Sequence, residues 1–183
     1  MILLINICKE HLHYFEFVKP IEDILIENRV IFLTRSYRDM KEEDLEKADK
    51  VIICGTSLKD NEFSKKENLK YFHWIKEMDI PILGICGGMQ AIGLTFGGKI
   101  KEKTEMGFYR ERFVKNFLGL EGEQEVYHLH NHYVDFSCLM DFEVFSFSED
   151  VSQAVKHVDK EIYGVLFHPE VRQKALIKNF SSL

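Results

Sequence analysis

Gly84-Ile85-Cys86-Gly87-Gly88-Met89-Gln90 follows the apolar run Ile80-Pro81-Ile82-Leu83 and precedes Ala91-Ile92-Gly93-Leu94, a helical pattern. An unalternated apolar run reads as a strand buried on both faces of a parallel sheet. The stretch therefore puts a cysteine, with glycines around it, where a strand turns sharply into a helix. Such a turn lifts the thiol above the sheet edge, and the helix N-terminus favours its thiolate. The glycines let backbone and substrate approach without meeting a side chain. A dinucleotide loop would need glycine at the first, third and sixth places, and Cys86 and Met89 occupy the last two of these.

Outward from this junction, further apolar runs at 2–7, 29–34 and 50–54 join 80–85 as strands. Charge-rich amphipathic stretches at 13–27, 41–48 and 65–78 read as the intervening helices; in the last, Leu69, Phe72 and Ile75 recur near helical spacing. The β-α-β order predicts an open, doubly wound, mainly parallel sheet flanked by helices, with ligands beyond the carboxyl ends of its strands. In the second half, alternation in 125–130 and 143–147 predicts antiparallel strands, so the sheet is mixed. Gly97-Gly98 turns the chain out of the helix after Cys86, a strand at 162–167 returns to the sheet, and a helix near 171–180 closes it.

The strand at 162–167 runs into a second informative segment, Gly164-Val165-Leu166-Phe167-His168-Pro169-Glu170. Pro169 fixes its own φ and holds His168 extended, which leaves the imidazole at the strand tip. Glu170 can fold back to accept the second imidazole proton. Cysteine, histidine and glutamate at the ends of different strands are the parts of a nucleophile, a general base and its orienter.

Composition bounds the rest. The 183 residues, 45% hydrophobic and 30% charged, describe one globular domain over 1–183 with a substantial core. A formal net charge of -6 gives no reason to expect nucleic acid as a partner. No stretch reaches the roughly 20 apolar residues of a membrane span, and the short apolar start Met1–Ile7 lacks the basic flank of a signal peptide. Cys8, Cys54, Cys86 and Cys138 are scattered without a Cys-x-x-Cys pair, which fits a reduced, cytoplasmic protein.

The two motifs together resemble the class I glutamine amidotransferases, whose glutaminase domains carry a Gly-x-Cys-x-Gly-x-Gln elbow and a later His-Pro-Glu. The resemblance covers nearly the whole chain and implies a flavodoxin-like fold, with Cys86 as nucleophile, His168 as base and Glu170 as the residue that holds the imidazole. It implies hydrolysis of L-glutamine to glutamate and ammonia through a cysteinyl thioester. Two N–H groups must then hold the oxyanion. Gly87, at the helix start, is one candidate. Family members take the second from a Gly-Gly-Pro-Gly-like loop; here Gly55-Thr56-Ser57 stands in its place, so Thr56 is the expected donor.

By the same resemblance, Tyr127-His128-Leu129-His130-Asn131-His132-Tyr133 lines the substrate pocket. Asn131 and His132 contact glutamine there, Gln90 and Met89 form the opposite wall, and Gly55 adds a further contact. On a strand His128, His130 and His132 share one face, the bare requirement for a metal. With no carboxylate or thiolate adjacent in sequence, the reading is that no metal binds.

Phe96-Gly97-Gly98-Lys99-Ile100 and Glu105-Met106-Gly107 are similar to the stretch after the elbow in stand-alone GMP synthase glutaminase subunits. The implied partner is a separate ATP-dependent, GMP-forming synthetase that receives the ammonia. No cofactor is expected in this chain; ATP and Mg²⁺ belong to the partner. Two other readings stay open at this level: a self-sufficient γ-glutamyl hydrolase, and a non-catalytic relative that binds or regulates a partner.

Overall fold

The computed structural model describes residues 1–183. Its centre is a seven-stranded sheet in the order β2-β1-β3-β4-β9-β8-β7. The first four strands are β1 (Ile2–Asn6), β2 (Phe32–Ser36), β3 (Lys50–Ile53) and β4 (Ile82–Ile85), and β9 is Ile162–Val165. These five pair in parallel, as their apolar runs predict. Beyond β9 the sheet becomes antiparallel through β8 (Val151–His157) and β7 (Phe142–Ser148). The sheet is therefore mixed and mainly parallel, with helices on both faces.

Alternation along β1 sorts the core into two layers. Ile2 and Leu4 join Val18, Ile21 and Leu25 with the C-terminal Leu176, Ile177 and Phe180. Leu3 and Ile5 join Phe63, Phe72, Ala91 and Ile92 on the other side. With both faces covered, the central strands have no polar alternation to show.

The helices depart from the sequence reading in two places. The expected helix at 13–27 is two helices, α1 (His11–Phe17) and α2 (Lys19–Glu27), with Pro20 in the first turn of α2. A proline in mid-helix would remove one hydrogen bond and press its ring on the preceding turn, so the chain restarts there instead. α3 (Glu42–Glu46) opens with Asp44 accepting the Lys41 N–H at 3.1 Å. The expected helix at 65–78 is a 3-10 helix (Lys66–Phe72) followed by the short α4 (Trp74–Glu77). Leu69, Phe72 and Ile75 recur at intervals of three, the repeat that a 3-10 helix sets in one row. α5 (Gly87–Thr95) follows Cys86, and α6 (Lys174–Ser181) closes the chain. No helix is long and apolar enough to cross a membrane.

The alternating stretch 125–130 belongs to something larger. β5 (Ile100–Phe117) and β6 (Leu120–Val134) form a long antiparallel hairpin of their own. Leu118 (φ 49°) and Gly119 (φ 91°) make its two-residue turn, both in the left-handed region that such a turn requires. The hairpin carries residues 127–132 over the carboxyl end of β4.

Candidate functional site

The strand β4 hands directly to Cys86, which adopts φ 49° and ψ -104°, a backbone that a residue with a Cβ seldom holds. Its own N–H is anchored on Val165 O at 2.7 Å, so the bend is braced from the neighbouring strand. Gly84 and Gly88 make the bend possible. A Cβ on Gly88 would lie 2.2 Å from Ile53 O, and one on Gly84 would lie 2.6 Å from the Gly88 carbonyl carbon. The helix can sit this close to β3 only without side chains.

His168 and Glu170 converge on Cys86 from the end of β9. His168 Nδ1 lies 2.7 Å from Glu170 Oε1, which assigns that nitrogen the proton and leaves Nε2 without a hydrogen-bond partner. A Cβ on Gly55 would come 2.8 Å from His168 Cε1 and 3.6 Å from Cys86 Cβ. The ring and the cysteine thus flank one small space that Gly55 keeps open. All three side chains are buried, and Phe17 packs against the His168 ring at 5.4 Å between centroids. Burial opposes charge on His168. The Glu170 carboxylate and the Cys86 sulfur outweigh it and hold the imidazole pKa well above its ordinary value.

Two residues that line the pocket with Cys86 have unspent backbone N–H groups. Neither Gly87, at the start of α5, nor Thr56, in the loop after β3, donates to a backbone carbonyl. Thr56 is tied down through its hydroxyl, which donates to Asp60 Oδ2 at 3.0 Å. The same oxygen accepts the Lys9 N–H at 3.0 Å and meets His13 Nδ1 at 2.7 Å. Burial would raise the Asp60 pKa, but these three bonds keep it below the usual carboxylate value. Nothing in the sequence marks Asp60 or His13, since they stand 47 residues apart and meet only in the fold.

The hairpin closes the site from above. Leu129 O lies 3.7 Å from Cys86 Sγ, and Tyr127 O accepts the His168 N–H at 2.8 Å. A pocket opens beside Cys86 between Thr56, Ser57, Asn61 and Phe63 on one side and Leu129, His130, Asn131 and His132 on the other. Its floor is Gly87 and Gln90.

A family model for class I glutamine amidotransferases matches residues 13–180. The chain belongs to that family. Among relatives, a glutamine-hydrolysing GMP synthase subunit of Methanobrevibacter smithii is 39% identical over 107 residues, covering 54% of each chain. The corresponding subunit of Methanosphaera stadtmanae is 36% identical over 121 residues, 60% of this chain and 63% of its own. The glutamine-hydrolysing GMP synthase of Aquifex aeolicus is 40% identical over 116 residues, which is 58% of this chain but 22% of that protein. The matched part is thus about half of the first relative and a fifth of the last. The fold of a candidate GMP synthase subunit from Thermoplasma acidophilum superposes with a TM-score of 0.83 at 25% identity, over 99% of this chain and 92% of that one. A glutamine amidotransferase from Thermotoga maritima superposes at 0.71 and 23% identity, over 99% and 82%.

Within this member of the family the expected residues sort unevenly. Cys86, His168 and Glu170 come together, with Thr56 and Gly87 beside them. Gln90, Asn131 and His132 line the pocket, though the Gln90 amide donates to His132 O at 2.9 Å and so braces the hairpin. Met89 does not form a wall. Successive helical residues point about 100° apart, and Met89 turns into the core against Gly164, 1% exposed. Gly55 does not line the pocket either; it lies behind, where its missing side chain admits the His168 ring.

The three histidines also separate. His132 faces the pocket and bonds Asn131 Oδ1 at 2.7 Å, whereas His128 and His130 are buried under the hairpin. The carboxylate that the local sequence lacks arrives from β5, where Glu105 pairs opposite His130. Glu105, His128 and His130 offer donor atoms that all lie within 4.8 Å of one another. The sequence reading found no carboxylate beside the histidines and saw that three of them cannot easily share one ion from a flat strand; strand pairing supplies a carboxylate, and only two of the three histidines join it.

Proposed function

We propose that this chain hydrolyses L-glutamine and passes the ammonia to a separate synthetase, as the glutaminase component of a GMP-forming enzyme. The observation that carries the reading is the imidazole geometry: Nδ1 committed to Glu170, Nε2 unpartnered, and the ring sharing one space with Cys86. That is the arrangement in which a histidine can take a proton from a thiol and return it to a leaving group.

The reaction would run as follows. Cys86 Sγ, as thiolate, attacks the side-chain amide carbon of glutamine while the imidazolium of His168 retains the proton. The Gly87 and Thr56 N–H groups hold the oxyanion. Collapse breaks the C–N bond, His168 gives its proton to the departing nitrogen, and ammonia leaves a glutamyl thioester. Water then adds to the thioester carbon as His168 takes one of its protons. A second collapse breaks the C–S bond, which frees glutamate and restores the thiolate. Because a thiolate nucleophile must stay reduced, the setting is a reducing compartment such as the cytoplasm.

Relatives named as subunits of glutamine-hydrolysing GMP synthases favour the GMP-forming partner, with ATP and Mg²⁺ used by that partner. Glutamate release from glutamine, measured with and without a separately expressed GMP-forming synthetase, tests both parts. Strong stimulation by the partner, lost in Cys86→Ala, is the expected result. Equal release by wild type and Cys86→Ala overturns the reading.

A further inference from the structure

Beneath the hairpin, meeting the pocket only at His130, lies a polar cluster that glutamine hydrolysis does not use. Glu105, Glu111, His128, His130, Ser146 and Gln153 are all buried there. Their hydrogen bonds fix which nitrogen of each imidazole carries the proton. His128 Nε2 meets Glu111 Oε1 at 3.2 Å, and Ser146 donates to the other Glu111 oxygen at 3.1 Å, which keeps that carboxylate an acceptor. His130 Nδ1 meets the Lys103 carbonyl oxygen at 3.2 Å, and a carbonyl can only accept. The protons of the neutral rings therefore sit on His128 Nε2 and His130 Nδ1.

The opposite nitrogens, His128 Nδ1 and His130 Nε2, are then bare lone pairs, and neither has a hydrogen-bond partner. Both face Glu105 Oε2, at 4.0 and 2.9 Å. The shorter contact lies within ion-pair distance. Gln153 Nε2 donates to the same carboxylate oxygen at 2.7 Å and holds it in place, while Gln153 Oε1 is itself unpartnered. Three electron-rich atoms thus converge in a buried site, an arrangement that a cation makes favourable.

We propose that Glu105 Oε2, His128 Nδ1 and His130 Nε2 bind a divalent transition-metal ion of the zinc type. A two-histidine, one-carboxylate set suits zinc, whose bonds to such donors run about 2.0–2.2 Å, and donor atoms within 4.8 Å of one another can close on a single ion. Glu111 behind His128 and the Lys103 carbonyl behind His130 are the outer partners that metal-bound histidines use to fix tautomer and orientation. A divalent charge also neutralises the two buried carboxylates. In its proposed role the ion holds the hairpin in place over the pocket, whose lining His130 joins. It clamps β5 and β6 to β8 through Gln153 and to β7 through Ser146. His128 and His130 flank Leu129, whose carbonyl approaches Cys86 Sγ, so the clamp also sets the wall over the cysteine. The metal site stands independently of the proposed glutaminase activity.

The test uses the full chain without an affinity tag, stripped with a chelator and reloaded with Zn²⁺ or Co²⁺. After gel filtration, elemental analysis should find about one metal per chain. The Co²⁺ form should show visible d–d absorption, and Zn²⁺ should raise the midpoint of thermal unfolding by several degrees. Glu105→Gln should lose the bound metal while His132→Gln keeps it, which separates this site from surface histidines. If Glu105→Gln fails to fold, the Co²⁺ spectrum of the wild type decides alone. Wild type that retains no metal and shows neither the absorption nor the thermal shift overturns the proposal; protonated imidazoles would then be the cations of the cluster.

Discussion

Thr56 gives its hydroxyl to Asp60 across 3.0 Å, and that bond anchors the loop that lines the pocket beside Cys86. A threonine where a glycine would leave the peptide free to flip is thereby held through its own side chain. Asp60 reaches the same oxygen to Lys9 N–H and His13, so three segments are fixed on one carboxylate. Asp60→Asn should lower kcat for glutamine hydrolysis by roughly 10- to 100-fold with little change in KM, as expected for a loosened oxyanion donor. Steady-state kinetics check this, and an unchanged kcat would remove Asp60 from the positioning role.

Gly88 offers a prediction about the fold alone. Its substitution by alanine forces a Cβ to within 2.2 Å of Ile53 O, a backbone atom that cannot swing aside. Gly88→Ala should cost about 3 kcal/mol or more of stability. Denaturant unfolding measures it, and a loss below about 1 kcal/mol would show that α5 can slide on β3.

The four cysteines should differ in reactivity. Burial pushes Cys8 up to about 11 and Cys54 well above its ordinary value, so both should resist alkylation at neutral pH. Cys138 is exposed and should react with general thiol reagents. A diazo-ketone analogue of glutamine should label Cys86 alone, and free glutamine should protect it. Peptide mass spectrometry reads the outcome; a label on Cys138 but not Cys86 would leave the proposed nucleophile without support.

His168 sets a pH dependence with a definite sign. Its folded pKa lies well above the value of about 6.5 for a free imidazole, because Glu170 and Cys86 overcome its burial. The stability it contributes is fully present below pH about 6.5 and disappears as pH rises through the folded pKa. Stability should therefore fall on the alkaline side, and the fall should vanish in His168→Asn. Glu170→Gln removes one cause of the raised pKa, so the alkaline limb of kcat/KM should move to lower pH. A limb that stays in place would mean that Glu170 does not tune the ring.

Much of the site was legible in the chain because its signals are local. Cys86 between glycines and His168 before Pro169 each announce a backbone bend, and bends follow from a few neighbouring residues. The unalternated runs that became β1, β3, β4 and β9 are legible for the same reason, since burial on both faces leaves no other pattern. The 3-10 helix at Lys66–Phe72 escaped the reading because a spacing of three also fits an α-helix. Met89 was misplaced because adjacency to Gln90 says nothing about which way a helical side chain points.

The chain by itself thus determined the sheet, the sharp turn at Cys86 and the pairing of His168 with Glu170, all within reach of short-range sterics. Only the tertiary structure brought Asp60 to Thr56 and His13, and Glu105 to His128 and His130. Those meetings depend on where a loop crosses and on the register between β5 and β6, which is set by a turn at Leu118-Gly119 and by the burial of a whole hairpin face. Long-range packing of that kind leaves no mark in the spacing of the residues that it joins.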